Sequence, residues 1–525
     1  MNAIPMPRHP AVTASATAPP GASDGAPSSE TDDGRPLVVL RSRAGAALVT
    51  TSVLASMVAF LDAYVVNVAV PAIGRDLDAS GAGVQWVVTG YLLTAAALLL
   101  LSGALIDSFG RRRVLIAGLV VMLAASVLCA VAPTTETLVA ARLTQGVGAA
   151  LVVPSALALL NGTLRVADRA RGIGVWAGLA TLGMTVGPYA GGWLVDHGSW
   201  RLLFLLNLPL ILPVFWVLRR VPEVDRHRRP LALDLVGGTL SVIGLGGIVY
   251  ALMAGPSYGW LSAPFLASAI VGVACLAVLV PVERRQRNPM LRLSLFRSRQ
   301  FDAINVTTVL VYGALAAAGY LLVLQVQLQL GYSAAAAGSL LIPASAVFLT
   351  VSPVVGGLVT RIGPRRLMVS GILALVGAFT WLSTVDAGDT YATNVLPGAL
   401  LWGLGLGLMV APLTSGVLAA VSDEDLGEAS AINDAAARVG GLLLVALVPA
   451  LIGVAADVDL GQALAGGYRP AMLVLAGLAA AAALVAAVYV SDRSTITPPT
   501  PPPPAVHGCA LPVGQPTRSK PAGAS

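Results

Sequence analysis

Apolar residues run along this chain in blocks of about 20, separated by short polar or charged stretches. Six blocks lie at about 46–70, 84–105, 114–132, 137–160, 172–195 and 200–218. Two follow at about 233–253 and 263–281, and six more at about 303–328, 336–360, 367–384, 394–419, 430–454 and 471–490. Each is near the ~17–25 residues that a bilayer-crossing helix needs. The pattern predicts fourteen membrane-spanning segments. Outside them, residues 1–44 are rich in Ala, Pro, Ser, Thr and Asp without the apolar core of a signal peptide, and read as a disordered cytoplasmic arm. Residues 491–525, with TPPTPPPP at 497–504, read as a Pro-rich disordered cytoplasmic tail.

Composition turns this pattern into a class. Hydrophobic residues make up 56% of the 525 and charged residues 11%, against about 25% charged in an ordinary soluble protein. So few charges could not cover a soluble surface. The expected fold is an all-α polytopic membrane protein. Lys520 is the only lysine, which excludes a phosphate-binding loop built on G-x-x-x-x-G-K-[ST] and with it an ATP-driven pump in this chain. His9, His197, His227 and His507 are far apart in loops and tails, so neither a metal site nor a His-based enzyme is expected. Cys129 and Cys275 fall in apolar blocks and Cys509 in the tail, as small buried apolar residues rather than a disulfide framework.

The net charge of +6 follows topology, not nucleic acid. With the N-terminus inside, the inner loops and flanks hold 24 arginines, including Arg111, Arg112, Arg113, Arg361, Arg365 and Arg366. The outer ones hold 3: Arg75, Arg201 and Arg469. That asymmetry places both termini in the cytoplasm and makes the segment number even. The acidic inner loop at Asp423, Glu424 and Asp425 weighs little in this rule. An internal repeat supports the count. GALIDSFGRRR at 103–113 returns as GGLVTRIGPRR at 356–366, with Gly103, Leu105, Gly110, Arg112 and Arg113 matching Gly356, Leu358, Gly363, Arg365 and Arg366. The copies follow segments two and ten, which maps each segment onto the one eight later. The plan is a six-helix bundle (45–219), two additional helices with basic loops (220–300) and a second six-helix bundle (301–490).

Several stretches then carry a resemblance. LDAYVVNVAVP (61–71) is similar to L-D-x-T-V-V-N-x-A-L-P, with Tyr64 in place of the Thr. QWVVTGYLL (85–93), GALIDSFGRRR, RLTQGVGAAL (142–151), SWRLLFLLNLP (199–209) and residues 429–441 follow. GLATLGMTVGPYAGGWL (178–194) brings Gly183, Gly187, Pro188, Gly191 and Gly192. In this order they resemble the fourteen-helix drug:proton antiporters of the major facilitator superfamily. The resemblance implies export of a lipophilic drug or antibiotic by alternating access. It implies no cofactor beyond the proton-motive force, a coupling role for Arg142, and a bacterial cytoplasmic membrane.

The charges inside the apolar blocks are where that chemistry would reside. Asp62 lies about 9 residues, or ~13 Å, from the outer end of segment one. A mid-membrane Asp costs roughly 2.5–3.5 kcal/mol, so it should face a cavity or a partner. Low dielectric favours a neutral carboxyl, which makes Asp62 the candidate proton carrier; the alternative is a structural hydrogen bond. Arg142 lies at a depth that permits a pair with Asp62 and cannot itself release the proton; the alternative is snorkelling outward. Asp434 and Arg438 have the spacing of a local ion pair. Asp107 ends segment two, where an acid opposes the helix dipole and needs a cationic partner. Arg111, Arg112 or the start of segment eleven could supply it as a latch closing the cytoplasmic side, together with Gly103 and Gly110; otherwise the arginines only set topology. Glycines at 183, 187 and 191 permit close helix approach, and Pro188 a bend, for a moving or a static seam. Asn67, Tyr91, Gln145, Tyr312, Tyr320 and Gln325 are the expected cavity liners. The expected partners are a small lipophilic substrate, protons and the lipid bilayer, with no nucleic acid, acting on a monomer. Rival readings are an exporter of a metabolite or siderophore, or a non-transporting receptor or assembly protein on the same fold.

Overall fold

The computed structural model describes residues 31–32, 35–222, 234–286, 292–422, 425–453 and 460–492. Most of the N-terminal arm, the loop with Arg226, Arg228 and Arg229, the acids Asp423 and Glu424, and the Pro-rich tail lie outside the described residues.

The first half holds α1 (Arg43–Val65), α2 (Val70–Asp76), α3 (Gly81–Ala97), α4 (Leu99–Phe109), α5 (Arg111–Ala130), α6 (Thr135–Thr163), α7 (Val166–His197), α8 (Arg201–Leu205) and α9 (Asn207–Leu218). Two helices follow, α10 (Leu235–Tyr258) and α11 (Ala263–Arg285). The second half holds α12 (Arg299–Leu328), α13 (Ala334–Ser339), α14 (Ile342–Ile362), α15 (Pro364–Leu382), α16 (Leu396–Leu418), α17 (Leu426–Ile452) and α18 (Leu460–Tyr489). Apart from a two-residue antiparallel pair, Thr31–Asp32 with Arg35–Pro36, regular structure among the described residues is helical. Twelve spans are long and apolar enough to cross a membrane, and thirteen if α3 and α4, bent by 56°, count as one. The protein is a multi-pass membrane protein.

Proline explains two of the helix breaks. It lacks the N–H that would bond four residues back, and its ring crowds that carbonyl. Pro71 faces Asn67 in this way, and the first long helix loosens into a 3-10 turn at Val66–Ala69. Pro209 faces Leu205, and the chain breaks at Leu206 between α8 and α9.

The repeat is structural as well as sequential. Gly110 (φ 90°, ψ 145°) and Gly363 (φ 94°, ψ 147°) make the same turn, each ending one helix and opening the next. That backbone favours glycine. The end of the bundle carrying Gly110, Leu164 and Gly363 is the arginine-rich end. There Arg292 pairs with Asp425 at 2.9 Å and with Glu428 at 2.8 Å, which gives one acid of the inner acidic loop a basic partner. One segment assigned to the arm is ordered. Leu37 and Val38 are buried, the Val38 N–H donates to the Thr163 carbonyl at 2.9 Å, and the Leu40 N–H donates to Asp168 at 3.0 Å. Two apolar side chains beside an open backbone edge suffice to dock it.

α10 packs against α3 and α17, while α11 packs on α10 and leaves most of its apolar surface outward, 11% of its span being buried. The two halves meet at the end opposite the arginines. There the Thr185 and Ser345 hydroxyls are 3.0 Å apart, Gln327 donates to the Val68 carbonyl at 3.2 Å, and Tyr320 donates to Gln85 at 3.1 Å. Toward the arginine-rich end, Gly174 and Gly178 on α7 and Gly356 and Gly357 on α14 have open space beside them. The molecule is closed at one end and open at the other.

Candidate functional site: a caged carboxylate beside a central cavity

Asp62 and Arg142 are 0% and 1% exposed, and they pair at 2.5 Å through Arg142 Nη1 and Asp62 Oδ2. Arg142 therefore turns inward to Asp62 rather than outward to the interface. Its Nε donates to the Val87 carbonyl at 3.0 Å, and its guanidinium lies over the Tyr91 ring, 4.4 Å from the centroid. Cation–π contact and a carbonyl stabilise the charge where water is excluded.

The other carboxylate oxygen, Asp62 Oδ1, accepts from Gln145 Nε2 and from Asn207 Nδ2, each at 2.9 Å. Ser126 Oγ accepts from the same two amides, at 2.9 Å and 3.0 Å. Gln145 Oε1 accepts from Arg142 at 2.8 Å and from the Cys129 thiol at 3.6 Å. Asp62 thus accepts three side-chain hydrogen bonds from two other helices, α6 and α9. The residues that pattern reasoning missed are Asn207 and Ser126. The available signal for Asn207 was the N-x-P step in SWRLLFLLNLP, because Pro209 breaks the helix beside it.

The cage is separate from the cavity. A cavity of about 400 Å³ lies between the halves, lined by Tyr64, Asn67, Met184, Pro188, Tyr312, Tyr320, Phe348 and Trp402 among others. Asn67, Tyr312 and Tyr320 are placed as expected. Asn67 Oδ1 is buried and has no hydrogen-bond partner among the described residues, so a polar group of a ligand can meet it. Three expected liners are elsewhere. Tyr91 is buried in the first half, its hydroxyl donating to the Ala59 carbonyl at 2.7 Å. Gln145 belongs to the Asp62 cage. Gln325 is buried and donates to the Val385 carbonyl at 3.0 Å. Polar character in an apolar helix demands partners, and protein supplies them for Tyr91, Gln145 and the Gln325 amide N–H, while Gln325 Oε1 has none among the described residues. Tyr64, at the position where a Thr was expected, contributes an aromatic wall.

The glycine seam of α7 has two faces. Gly183, Gly187 and Gly191 lie against Met57, Leu61 and Val65 of α1, the turns around Asp62. Gly192 packs against the Ala334 carbonyl of α13, and Gly338 against the Pro188 carbonyl. A methyl group at Gly192 or Gly338 would overlap backbone, so these positions permit the closure. One turn further, Asp196 accepts from the N–H groups of Ala334 at 2.9 Å and Ala335 at 2.8 Å.

This organisation matches known proteins. The family model described as Major Facilitator Superfamily matches residues 52–445. The chain belongs to the major facilitator superfamily. It is 34% identical over 394 residues to a protein named multidrug resistance protein Stp of Mycobacterium tuberculosis, covering 75% of this chain and 73% of that one. It is 34% identical to the puromycin resistance protein pur8 of Streptomyces alboniger (75% and 79% covered) and 33% identical to the methylenomycin A resistance protein of Bacillus subtilis (78% and 88%). The fold resembles the POT family transporter PepTSo, with a TM-score of 0.62 at 14% identity (85% and 97% covered). It also resembles the xylose transporter XylE from E. coli, with a TM-score of 0.57 at 14% identity (84% and 97%).

On this major facilitator fold, Asp107 of the expected cytoplasmic latch is exposed at the end of α4. Among the described residues it forms no ion pair with Arg112 or with the start of α15. Arg112 donates instead to the Val221 carbonyl at 3.1 Å, and in the second copy Asp492 accepts from the Arg365 N–H at 3.0 Å. Gly103 faces open space. Asp434 and Arg438 form the expected i, i+4 pair at 3.1 Å, with Asp434 54% exposed.

Proposed function

We propose that the protein exports a lipophilic drug or antibiotic across the bacterial cytoplasmic membrane by alternating access, in exchange for protons, without any cofactor. The observation that carries this reading is the fully enclosed Asp62–Arg142 pair beside, but outside, an aromatic cavity that is open at one end. A carboxylate caged by donors is a place to exchange a proton with little disturbance of a neighbouring apolar ligand. Tyr64 and Asn67, two and five residues past Asp62, line the cavity, so the turn that holds the proton site also touches the substrate. Resistance relatives at 33–34% identity support the substrate class. One inward proton gains ~2.3 kcal/mol per 100 mV, with any pH gradient in addition.

In the finer reading, α7, a 32-residue helix, joins the twelve apolar spans and the bent α3–α4 pair as the fourteenth crossing. The 24-to-3 arginine asymmetry supports cytoplasmic termini, which makes the open end the cytoplasmic one. The 6+2+6 plan and a monomeric unit belong to the same proposal. The test is substrate movement in proteoliposomes under an imposed pH gradient, with the parent against Asp62→Asn. Accumulation should collapse in the variant while substrate binding stays measurable. Full gradient-driven export by Asp62→Asn would remove Asp62 from the mechanism.

A further inference from the structure

We propose that Asn207 is the positioning residue that lets the enclosed Asp62 hold a proton, its amide donating to the charged carboxylate and turning over to accept from the neutral one. The inference rests on the proton-carrier reading of Asp62 and deepens it.

The argument begins with an acceptor that has nothing to accept. Asn207 is fully buried, and both contacts of its Nδ2 are with acceptors, Asp62 Oδ1 at 2.9 Å and Ser126 Oγ at 3.0 Å. Its Oδ1 is buried and has no hydrogen-bond partner among the described residues. A native protein rarely leaves such an atom without a reason. While Asp62 is charged, this orientation is the only sensible one, since the reverse would set a carbonyl oxygen against a carboxylate.

A proton on Asp62 Oδ1 inverts the demand. The oxygen becomes a donor, and two amide hydrogens now point at it, from Gln145 and Asn207. Gln145 cannot respond. Its Oε1 is held by the Arg142 guanidinium at 2.8 Å and the Cys129 thiol at 3.6 Å, and turning it over would aim an NH₂ at a cation. Asn207 has no such restraint. A half-turn of its amide brings Oδ1 between the Asp62 O–H and the Ser126 hydroxyl, both able to donate. Nδ2 then takes the place that Oδ1 leaves. In each state one end of the amide is matched twice: Nδ2 by two acceptors when Asp62 is charged, Oδ1 by two donors when it is neutral.

Among the described residues no second carboxylate meets Asp62. The titratable and charged groups around it are Arg142 on α6, Tyr91 on α3, Cys129 on α5 and Tyr64 on its own helix, with Arg438 of α17 acting on Tyr91 from further away. The Tyr91 hydroxyl is committed to the Ala59 carbonyl at 2.7 Å. α7 meets this part of α1 with Gly183 and Gly187. Asn207 is the first residue of α9, directly after the break that Pro209 imposes, which fixes its backbone close to α1.

The test is pH-difference infrared spectroscopy of the full-length protein in lipid, beside gradient-driven transport. On acidification the parent should gain a protonated carboxyl band, and a side-chain amide C=O band should move to lower frequency as that carbonyl becomes an acceptor. Asp62→Asn should lose both changes. Asn207→Val should keep the carboxyl band at higher frequency, lose the amide change, and transport about tenfold less, the equilibrium worth of one lost hydrogen bond. Asn207→Ser, whose hydroxyl both donates and accepts, should lose the amide change yet recover transport. An amide change that persists in Asn207→Ser, or is absent from the parent, overturns the role given to Asn207 and leaves Asp62 as the carrier. A carboxyl band that persists in Asp62→Asn overturns the carrier reading itself.

Discussion

The Asp62–Arg142 pair makes a prediction about stability that is separable from its prediction about transport. Asp62→Asn keeps the side-chain shape and removes the only charge paired with Arg142 among the described residues; Arg142 is 1% exposed. The guanidinium then has the Val87 carbonyl, Gln145 Oε1 and the Tyr91 ring, but no counter-ion. Breaking a buried pair from one side costs about 3–5 kcal/mol, most of it from the charge left behind. Arg142→Gln does the same from the other side, leaving Asp62 to Gln145 and Asn207. The double variant has no buried charge at this site, and exchange of a whole buried pair for neutral groups is often nearly neutral. The expected cycle is therefore strongly non-additive, with each single variant losing about 3–5 kcal/mol and the double losing less than either. Denaturant unfolding of the purified variants in one detergent measures it. In proteoliposomes all three should fail to accumulate substrate against its gradient, so the double variant would be folded but uncoupled. Additive stability losses would refute the pairing argument, and gradient-driven export by the double variant would refute the coupling argument.

Four further outcomes follow from other parts of the structure. Asp196→Ala removes the acceptor for two α13 N–H groups, and should shift the resting population toward an opening at that end by roughly fivefold, about 1 kcal/mol; unchanged spin-label distances between α7 and α14 would contradict this. Asp107→Asn should leave the stability of the present conformation within about 0.5 kcal/mol, as for an exposed surface residue, yet slow transport; unchanged efflux would reduce the arginine cluster to a topology signal. Tyr312→Ala enlarges the cavity and should change which compounds are resisted without changing the pH dependence of transport, read from growth inhibition and vesicle assays; an unchanged resistance panel counts against the cavity as the substrate site. Cysteines at Ala387 and Ser422, both in exposed turns, should label from outside and only after permeabilisation, respectively; the reverse pattern would invert the topology.

What could be read from the sequence divides by physical cause. Block length is set by bilayer thickness, so every apolar block is met by a helix. Asp62 and Arg142 announce themselves because a charge in hydrocarbon is costly and needs a reason. Neutral polar residues give a weaker signal. Tyr91, Gln145 and the Gln325 amide N–H had to be satisfied, but polarity does not say whether protein or a ligand does it, and here protein does. Asn207 and Ser126 lie 145 and 81 residues from their partners in the cage, Asp62 and Asn207, so only the folded bundle brings them together. Leu37 and Val38 were hidden by the composition of the arm around them.

The two ends of the molecule treat their acids differently, and the difference bears on how a proton could drive the cycle. Asp196 is matched to two N–H groups at the start of α13, the favoured place for a negative charge. Asp107 is exposed at the end of α4, where the helix dipole opposes it. Opening the other way has to release the first acid and satisfy the second, so the two conformations differ by an exchange of similar contacts. Hydrogen bonds to charged groups contribute about 1.5–3 kcal/mol net, and exposed ones about 1 kcal/mol or less. A proton falling through 100 mV supplies about 2.3 kcal/mol, which is enough to tip such an exchange and too little to tear open a large buried interface. The connection is available in one helix: α7 lies against the Asp62 turns of α1 through Gly183 and Gly187, and reaches Asp196 in its last turn. A change in how Asp62 is held would be felt along this seam, about two to four turns before Asp196. A weak, exposed latch joined by one helix to a caged carboxylate is therefore what a proton of this size can operate.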